Sequence, residues 1–517
     1  MNDAGLTTKY DVVVVGGGAA GLAAASEAAL LGRRVVLLEK NPDLGGTTAW
    51  SVGSVSATCT PHQIAKGIKD CPEHHLEDLK LFSGELVDRD NFILARVLTE
   101  NTPDMFRWLL STGLVFVGPL PEPPHRQPRM HNILPNSRAF PYLLGRHCRR
   151  LGVDIRLNTR ADRLIVDAGR ITGVAVTLPD GRRHDFMAQG GVVLAGGDFS
   201  ASPELKAKYA SEEVAGVDAV NPTSTGDGIR MALEHGAVVV NGDHMHGPIM
   251  RFVPPMRPKL IQRLPPLRWL TRTMRWSFDY LPAWLLRPFL MSFLTTALAP
   301  SHDLFRHGAI LVDRDGLRFA DEHQGPDRAA VRRRGGMAFI VFDKLVADRF
   351  SSWPNFISTA PAVGYAYLDD YRRTRRDIFH RAGTLAELAA RMGVPRDAFE
   401  QTIADYNAGR QPHGASPRGD RPLVTVPPFY ALGPAKAYII FTNGGLKVTE
   451  RLEVVNAAGA IIPGLYAAGS NGQGGMLLEG HGHHLGWAFV SGRLAGRHAA
   501  LLASDGGSGA VMPNPVS

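Results

Sequence analysis

Residues 12–15 are four consecutive valines, and a second apolar run, Val35–Leu38, follows an alanine-rich stretch that is almost free of charge. Short apolar runs bounded by glycine suit strands buried on both faces, while the stretch between them has helical length. The pattern predicts one strand–helix–strand unit over residues 11–40. Further on, ADRLIVDAGRITGVAVTLP at 161–179 alternates apolar and polar residues around Asp167-Ala168-Gly169, which predicts a hairpin. GGVVLAGGDF (Gly190–Phe199) and IIPGLYAAGSNG (Ile461–Gly472) each run an apolar strand into small residues. A strand over Ala338–Phe342, helices near Leu385–Met392 and Arg396–Tyr406, and an apolar helix over Trp487–Leu494 complete an α/β pattern.

The turn after the valine run carries Gly16, Gly18 and Gly21, and Glu39 closes the second strand 18 residues past Gly21. In that order, the first glycine permits the tight turn, the second lets a pyrophosphate approach the backbone, and the third lets helix pack on strand. The helix N-terminus then faces the anion, and the carboxylate accepts from ribose hydroxyls. The unit predicts a dinucleotide site. Gly45-Gly46-Thr47-Thr48 adds a second glycine doublet that continues along a long ligand.

At this point the chain resembles the flavoprotein family of fumarate reductases, succinate dehydrogenases and 3-ketosteroid Δ1-dehydrogenases. The resemblance covers nearly the whole chain and rests on GGGAAG at 16–21, LEK at 38–40, GGTTAWSVG at 45–53, Gly196-Gly197, TGDGI at 225–229, GLRFADE at 316–322, GLYAAGS at 464–470 and GRLAG at 492–496. GGTTAWSVG is nearer the ketosteroid version, and it lacks the histidine to which succinate dehydrogenases attach flavin. The resemblance implies noncovalent FAD in a Rossmann-like domain with an inserted α+β substrate-capping domain. It places the cofactor on Gly16, Gly18, Ala19, Ala20, Gly21, Glu39, Lys40, Gly45, Gly46, Thr47, Thr48, Gly53, Ala161, Gly196, Gly197, Asp227, Gly469, Ser470, His484 and Leu485. The expected division is a first flavin part over 1–245, a cap over 246–428, a flavin return over 429–503 and a disordered tail over 504–517.

Composition changes this picture in one place. The chain has 517 residues and a formal charge of +8, and residues 248–300 hold eight Lys or Arg against one acid, or +7 of that total. The high pI is therefore not a nucleic-acid signal. The basic residues alternate with Trp269, Trp276, Trp284, Leu and Phe, as in segments that lie on a membrane or line an apolar entrance. The uncharged stretch Phe289–Pro300 there is far shorter than the roughly 20 residues needed to span a bilayer. Cys59, Cys71 and Cys148 lack metal or redox spacing, and the N-terminus enters the first strand without a signal peptide. The expected location is cytoplasmic, with peripheral contact at the inner face of the membrane through 248–300.

Family members desaturate a ketone by passing an α-proton to a base and a hydride to flavin, or run the reverse on fumarate. The resemblance puts the decisive acid–base residue at Pro326, which is neither acid nor base, and the ketosteroid tyrosine at Leu478. Gly482 matches the glycine whose N–H assists the ketone. In their place stand Glu479, His481, His483 and His484 among glycines before the last helix. His481 is the first catalytic candidate and His483 the second, with Glu479 beside them and His484 on the flavin. A metal held by these histidines is disfavoured because no partner cluster is evident. His246, His323, Tyr365, Tyr367 and Tyr438 are weaker candidates. The reading is an FAD-dependent dehydrogenase or desaturase of a C–C bond next to a carbonyl in a small apolar, cyclic or steroid-like substrate, paired with an unidentified electron acceptor. Its rivals are an alkene reductase and a flavin-binding protein with a degenerate site.

Overall fold

The valine run forms the centre of the parallel part of a mixed sheet. Leu6–Val15 pairs in parallel with Val35–Leu38 on one side and with Arg183–Leu194 on the other, and Val12–Val15 are buried. The sheet runs Glu453–Val455, Ile461–Ala467, Arg183–Leu194, Leu6–Val15, Val35–Leu38, Asp154–Arg156, and the expected hairpin adds Ala161–Asp167 and Arg170–Thr177 at Arg183–Leu194. The computed structural model describes residues 6–505 apart from 179, 256–263, 283, 288–290, 292–294, 296–297, 324, 361–363 and 411–418. The tail expected over 504–517 falls almost wholly outside the described residues.

Helix Ala19–Leu30 needs its alanines because the last helix, His483–Asp505, lies directly against it. A Cβ on Gly492 or Gly496 would stand 2.3 or 2.2 Å from the carbonyl oxygens of Ala20 and Ala24. The glycines of GRLAG therefore set the distance between the two helices. This helix begins at His483, four residues before the expected Trp487, so the histidine-rich stretch is its first turn.

A second apolar core lies around a five-stranded sheet ordered Ile249–Phe252, Phe429–Tyr438, Met337–Phe342, Ile310–Asp313, with Phe379–Ala382 also on Phe429–Tyr438. Met250, Phe252, Leu311, Ile340 and Leu432 are among its buried residues. The charged residues of GLRFADE serve this core. Arg318 grips Glu322 at 2.9 and 2.6 Å, and Arg421 reaches the same carboxylate at 2.9 Å. Removing one partner would leave a buried charge unpaired, which costs about 3–5 kcal/mol.

The strand Phe429–Tyr438, expected to open the return, pairs within the cap sheet because its alternate residues face the second core. The chain crosses between cores just after it. Outgoing Met245 and His246 pair antiparallel with returning Thr442 and Phe441, and the Ile440 N–H donates to the His246 carbonyl at 2.9 Å.

Candidate active site

A cleft runs from the glycine turn to the junction of the two cores. Its first half is lined by Gly16–Ala20, Glu39, Lys40, Gly46–Thr48, Gly53, Ala161, Gly196, Gly197, Asp227, Gly469 and Ser470. Leu6–Val15, Arg183–Leu194 and Ile461–Ala467 end here on small residues, which leaves room for a long ligand against the backbone. At Gly16, φ is +109° and a Cβ would meet the Ala195 carbonyl at 2.4 Å. Gly21 and Gly45 do not line the cleft: a Cβ on Gly21 would stand 1.8 Å from the Gly16 carbonyl, and the Gly45 N–H donates to Gly17 at 2.9 Å. Both act by fixing the shape of the turn. Glu39 accepts from the Gly17 and Asn41 N–H groups at 2.7 and 2.8 Å, and a carboxylate with about four lone-pair sites still has capacity for a ribose. Lys40 pairs with Asp227 at 2.8 Å, whose carboxyl it helps hold below the usual range against the opposing effect of burial. The buried Asn471 holds the Gly196 N–H at 2.7 Å while its own Nδ2 lacks a partner.

The second half is lined by Trp50, Val52, Ser54, His246, Arg251, Leu298, Ile440, Phe441, Glu479–Gly482, His484 and Leu485. His246 stacks on Phe441, with ring centroids 4.8 Å apart and planes 6° apart. Its Nδ1 stands 3.9 Å from Glu479 Oε2, while His244 Nε2 and Asn443 Nδ2 hold Glu479 Oε1 at 3.3 and 3.0 Å. The His244 contact lowers the Glu479 carboxyl, and burial lowers His246, so at neutral pH they are carboxylate and neutral imidazole. Arg251 lies on the cap strand Ile249–Phe252. Its Nε is buried without a partner, and no ion pair reaches it among the described residues.

His481 also lines the cleft, held by Glu122 Oε1 through its Nδ1 at 2.5 Å and its N–H at 2.8 Å. That bond raises its pKa. Gly482 has φ +89°, a Cβ on it would stand 2.5 Å from the Ser56 nitrogen, and its N–H has no acceptor among the described residues. His484 tilts against Phe441 at 4.1 Å, and burial pushes it down to about 3.

His483 is a correction to the expected catalytic set. It turns away from the cleft into a dry cluster with His75, His125 and Phe82, because neighbours on a helix point about 100° apart. His125 Nε2 lies 3.1 Å from His483 Nε2, and His483 Nδ1 donates to the Glu479 carbonyl. The three imidazoles bring a nitrogen each within 4.8 Å of one another. The Arg129 guanidinium, 2.8 Å from His125 Nδ1 and clamped by Asp70 and Asp78, opposes a cation there. The cluster instead props the loop from Glu479 to Gly482.

Pro326 opens the short helix Pro326–Val331 and is buried outside the cleft lining, while its neighbour Asp327 is taken by the Met250 N–H and His302. Leu478 is buried in the flavin core. His323 is exposed, and Tyr365, Tyr367 and Tyr438 are not in the lining. Sequence reasoning missed Arg251, His244, Asn443, Glu122 and Phe441. Only Arg251 had been noticed, as one of eight basic residues, and nothing in its spacing separates it from the other seven.

Comparison with known proteins agrees with this geometry. The family model "FAD binding domain" matches residues 11–262 and 276–477. The chain is 27% identical over 487 residues to a probable fumarate reductase, Ifc3, of Shewanella frigidimarina, covering 92% of this chain and 72% of that protein. Among solved structures, the open conformation of a flavocytochrome c3 fumarate reductase superposes with a TM-score of 0.71 at 26% identity, covering 97% of this chain and 79% of the other. The 3-ketosteroid delta1-dehydrogenase of Sterolibacterium denitrificans shares the fold, with a TM-score of 0.64 at 20% identity over 95% and 99% of the chains. A nucleotide-sized groove of small residues, an acid at the end of its second strand and a cap closing over the far end all fit that family. The chain belongs to the FAD binding domain family and is an FAD-dependent oxidoreductase, similar in sequence to fumarate reductases and in fold to a ketosteroid dehydrogenase.

Proposed function

We propose that the protein dehydrogenates a C–C bond next to a carbonyl or carboxylate oxygen in a small, largely apolar, ring-shaped substrate, with FAD held noncovalently by the glycine-lined half of the cleft. One observation carries this reading: Arg251, whose buried Nε has no partner among the described residues, faces a cleft also lined by Leu298, Ile440 and Phe441. Burial disfavours its charge, yet a guanidinium keeps its proton at any ordinary pH, so a ligand oxygen is what relieves the cost. Among the described residues Arg251 is the one arginine lining the second half of the cleft, and a lone guanidinium suits one oxygen-bearing group. A dicarboxylate would ask for more.

Arg251 would hold that oxygen and stabilise the negative charge that gathers on it as the α-proton leaves. His246 would take the proton on Nε2, since its Nδ1 side faces Glu479, and the carboxylate would stabilise the imidazolium formed. His244 and Asn443 keep Glu479 in place for that task. The Gly482 N–H is a further donor on the same lining, and His481 is a proton donor poised by Glu122. Phe441 and His484 exclude water beside the stacked His246. Bound FAD supplies the acceptor for the hydride.

The name of the Shewanella relative favours the opposite direction, reduction of an activated alkene, and the same side chains serve it by returning the proton. Anaerobic titration decides between them. Bleaching of the flavin by cyclic ketones supports dehydrogenation. Reoxidation of reduced enzyme by 2-enoates, with no bleaching by any saturated ketone or acid, supports reduction. Neither response on either panel would sink both readings.

His481 should leave a pH signature. Its folded pKa is raised, so the protonated form and any stability it lends are fully present below about pH 6.5 and are lost as pH rises through the higher folded value. The expected kcat/KM profile falls on that alkaline side, and Glu122→Gln should move the fall to lower pH. His481→Ala should cost on the order of 10²-fold in turnover with flavin content unchanged. An unmoved profile in Glu122→Gln would remove His481 from the proton-donor role.

A further inference from the structure

The helix Arg268–Tyr280 carries its large aromatic side chains on the wrong side for a soluble protein. Thr271 is its buried residue, whereas Trp269 is 67% exposed, Trp276 54% and Tyr280 73%, with Trp284 just beyond at 71%. Trp269, Arg272, Trp276 and Tyr280 follow at three- and four-residue steps, so they share the outward face. Arg275 has a partner in Asp279 at 3.7 Å. Among the described residues Arg268 and Arg272 have none.

We propose that this face is a docking surface for the headgroup layer of an anionic lipid bilayer. The composition decides for lipid over a protein partner. The middle of a protein interface is depleted in charge, and an unpaired guanidinium between two tryptophans would be stranded there. At an anionic headgroup layer the same guanidinium meets phosphate, while Trp and Tyr place apolar rings below and polar N–H or O–H groups above. The helix rests flat on the surface; among the described residues no helix is long and apolar enough to cross a membrane.

Its position gives the contact a use. The helix packs on strands Val115–Leu120 and Met130–Leu134, whose sheet also contains Ser54–Ser56, and Ser54 lines the cleft. The sheet that carries the lipid-facing helix thus also contributes a residue to the substrate half of the cleft. A substrate dissolved in the bilayer would be presented close to where it reacts.

Flotation of the purified full-length holoprotein with vesicles tests this. With phosphatidylcholine containing 30% phosphatidylglycerol, most of the protein should float at low salt, and with pure phosphatidylcholine it should stay at the bottom. Trp269→Ala with Trp276→Ala, and separately Arg268→Glu with Arg272→Glu, should each lower the bound fraction at least tenfold while flavin content and melting temperature stay unchanged. Rising salt should weaken the wild type in the same way. Failure of the wild type to float with anionic vesicles overturns the proposal. So does equal flotation of the variants, or a wild-type dimer in light scattering that both pairs of substitutions dissolve.

Discussion

Gly18→Val should give a folded, colourless protein. At Gly18 the backbone is extended, and an added Cβ meets only Gly45 O at 3.7 Å and Thr48 Oγ1 at 3.8 Å, ordinary contact distances. The added Cβ thus crowds no protein atom and stands where the pyrophosphate must approach the backbone. Gly21→Val is the contrasting case: its Cβ would lie 1.8 Å from the Gly16 carbonyl, so helix and strand must separate and the protein should fail to accumulate. The measurement is flavin absorbance per chain beside a thermal melt. Wild-type protein should also release its flavin into the supernatant on acid precipitation. A yellow Gly18→Val variant would mean that the dinucleotide does not pass over this turn, and colour left in the acid pellet would mean a covalent link.

Arg251→Met should lose on the order of 10³-fold in kcat/KM, the scale for removing a charged donor from a developing oxyanion. Methionine keeps the stem of the side chain, and the guanidinium has no partner to orphan among the described residues, so stability should hold or rise. A substrate that bleaches wild-type flavin should bleach the variant far more slowly at saturation. Arg251→Lys should recover part of the rate, since a point charge can still meet one oxygen but without the planar fork. Near-normal turnover in Arg251→Met would make this arginine a bystander and shift attention to His481 and Gly482.

The nucleotide half of the site was legible because its constraints are local. A valine run ending on glycine, an alanine helix and an acid after the next run are all consequences of backbone approach, and the strands fell where the pattern put them. The substrate half was much less so. His483 and His484 are adjacent in sequence, yet one enters a dry cluster beneath the loop and the other lines the cleft; no composition rule predicts which way a helix start will turn. Arg251 stands out only by what it lacks, and the absence of a counter-ion is a property of the folded molecule. Glu122 and His244 come from distant segments that meet the histidine loop only after both cores form. Arg318 and Glu322 of GLRFADE, a motif that carries part of the family resemblance, are bound up with Arg421 in a buried group of the cap core.

The paired crossing between the two cores has a mechanical consequence. Because Met245–His246 and Phe441–Thr442 are hydrogen-bonded as a short ribbon, the two connections cannot slide past each other. Any swing of the cap must bend that ribbon. His246 and Phe441 sit on it and Arg251 lies five residues beyond, so opening the cap would also withdraw the proposed proton acceptor, its aromatic support and the proposed oxygen clamp together. The enzyme would be assembled for chemistry only when shut, and a substrate too large to let the cap settle would be bound without being turned over.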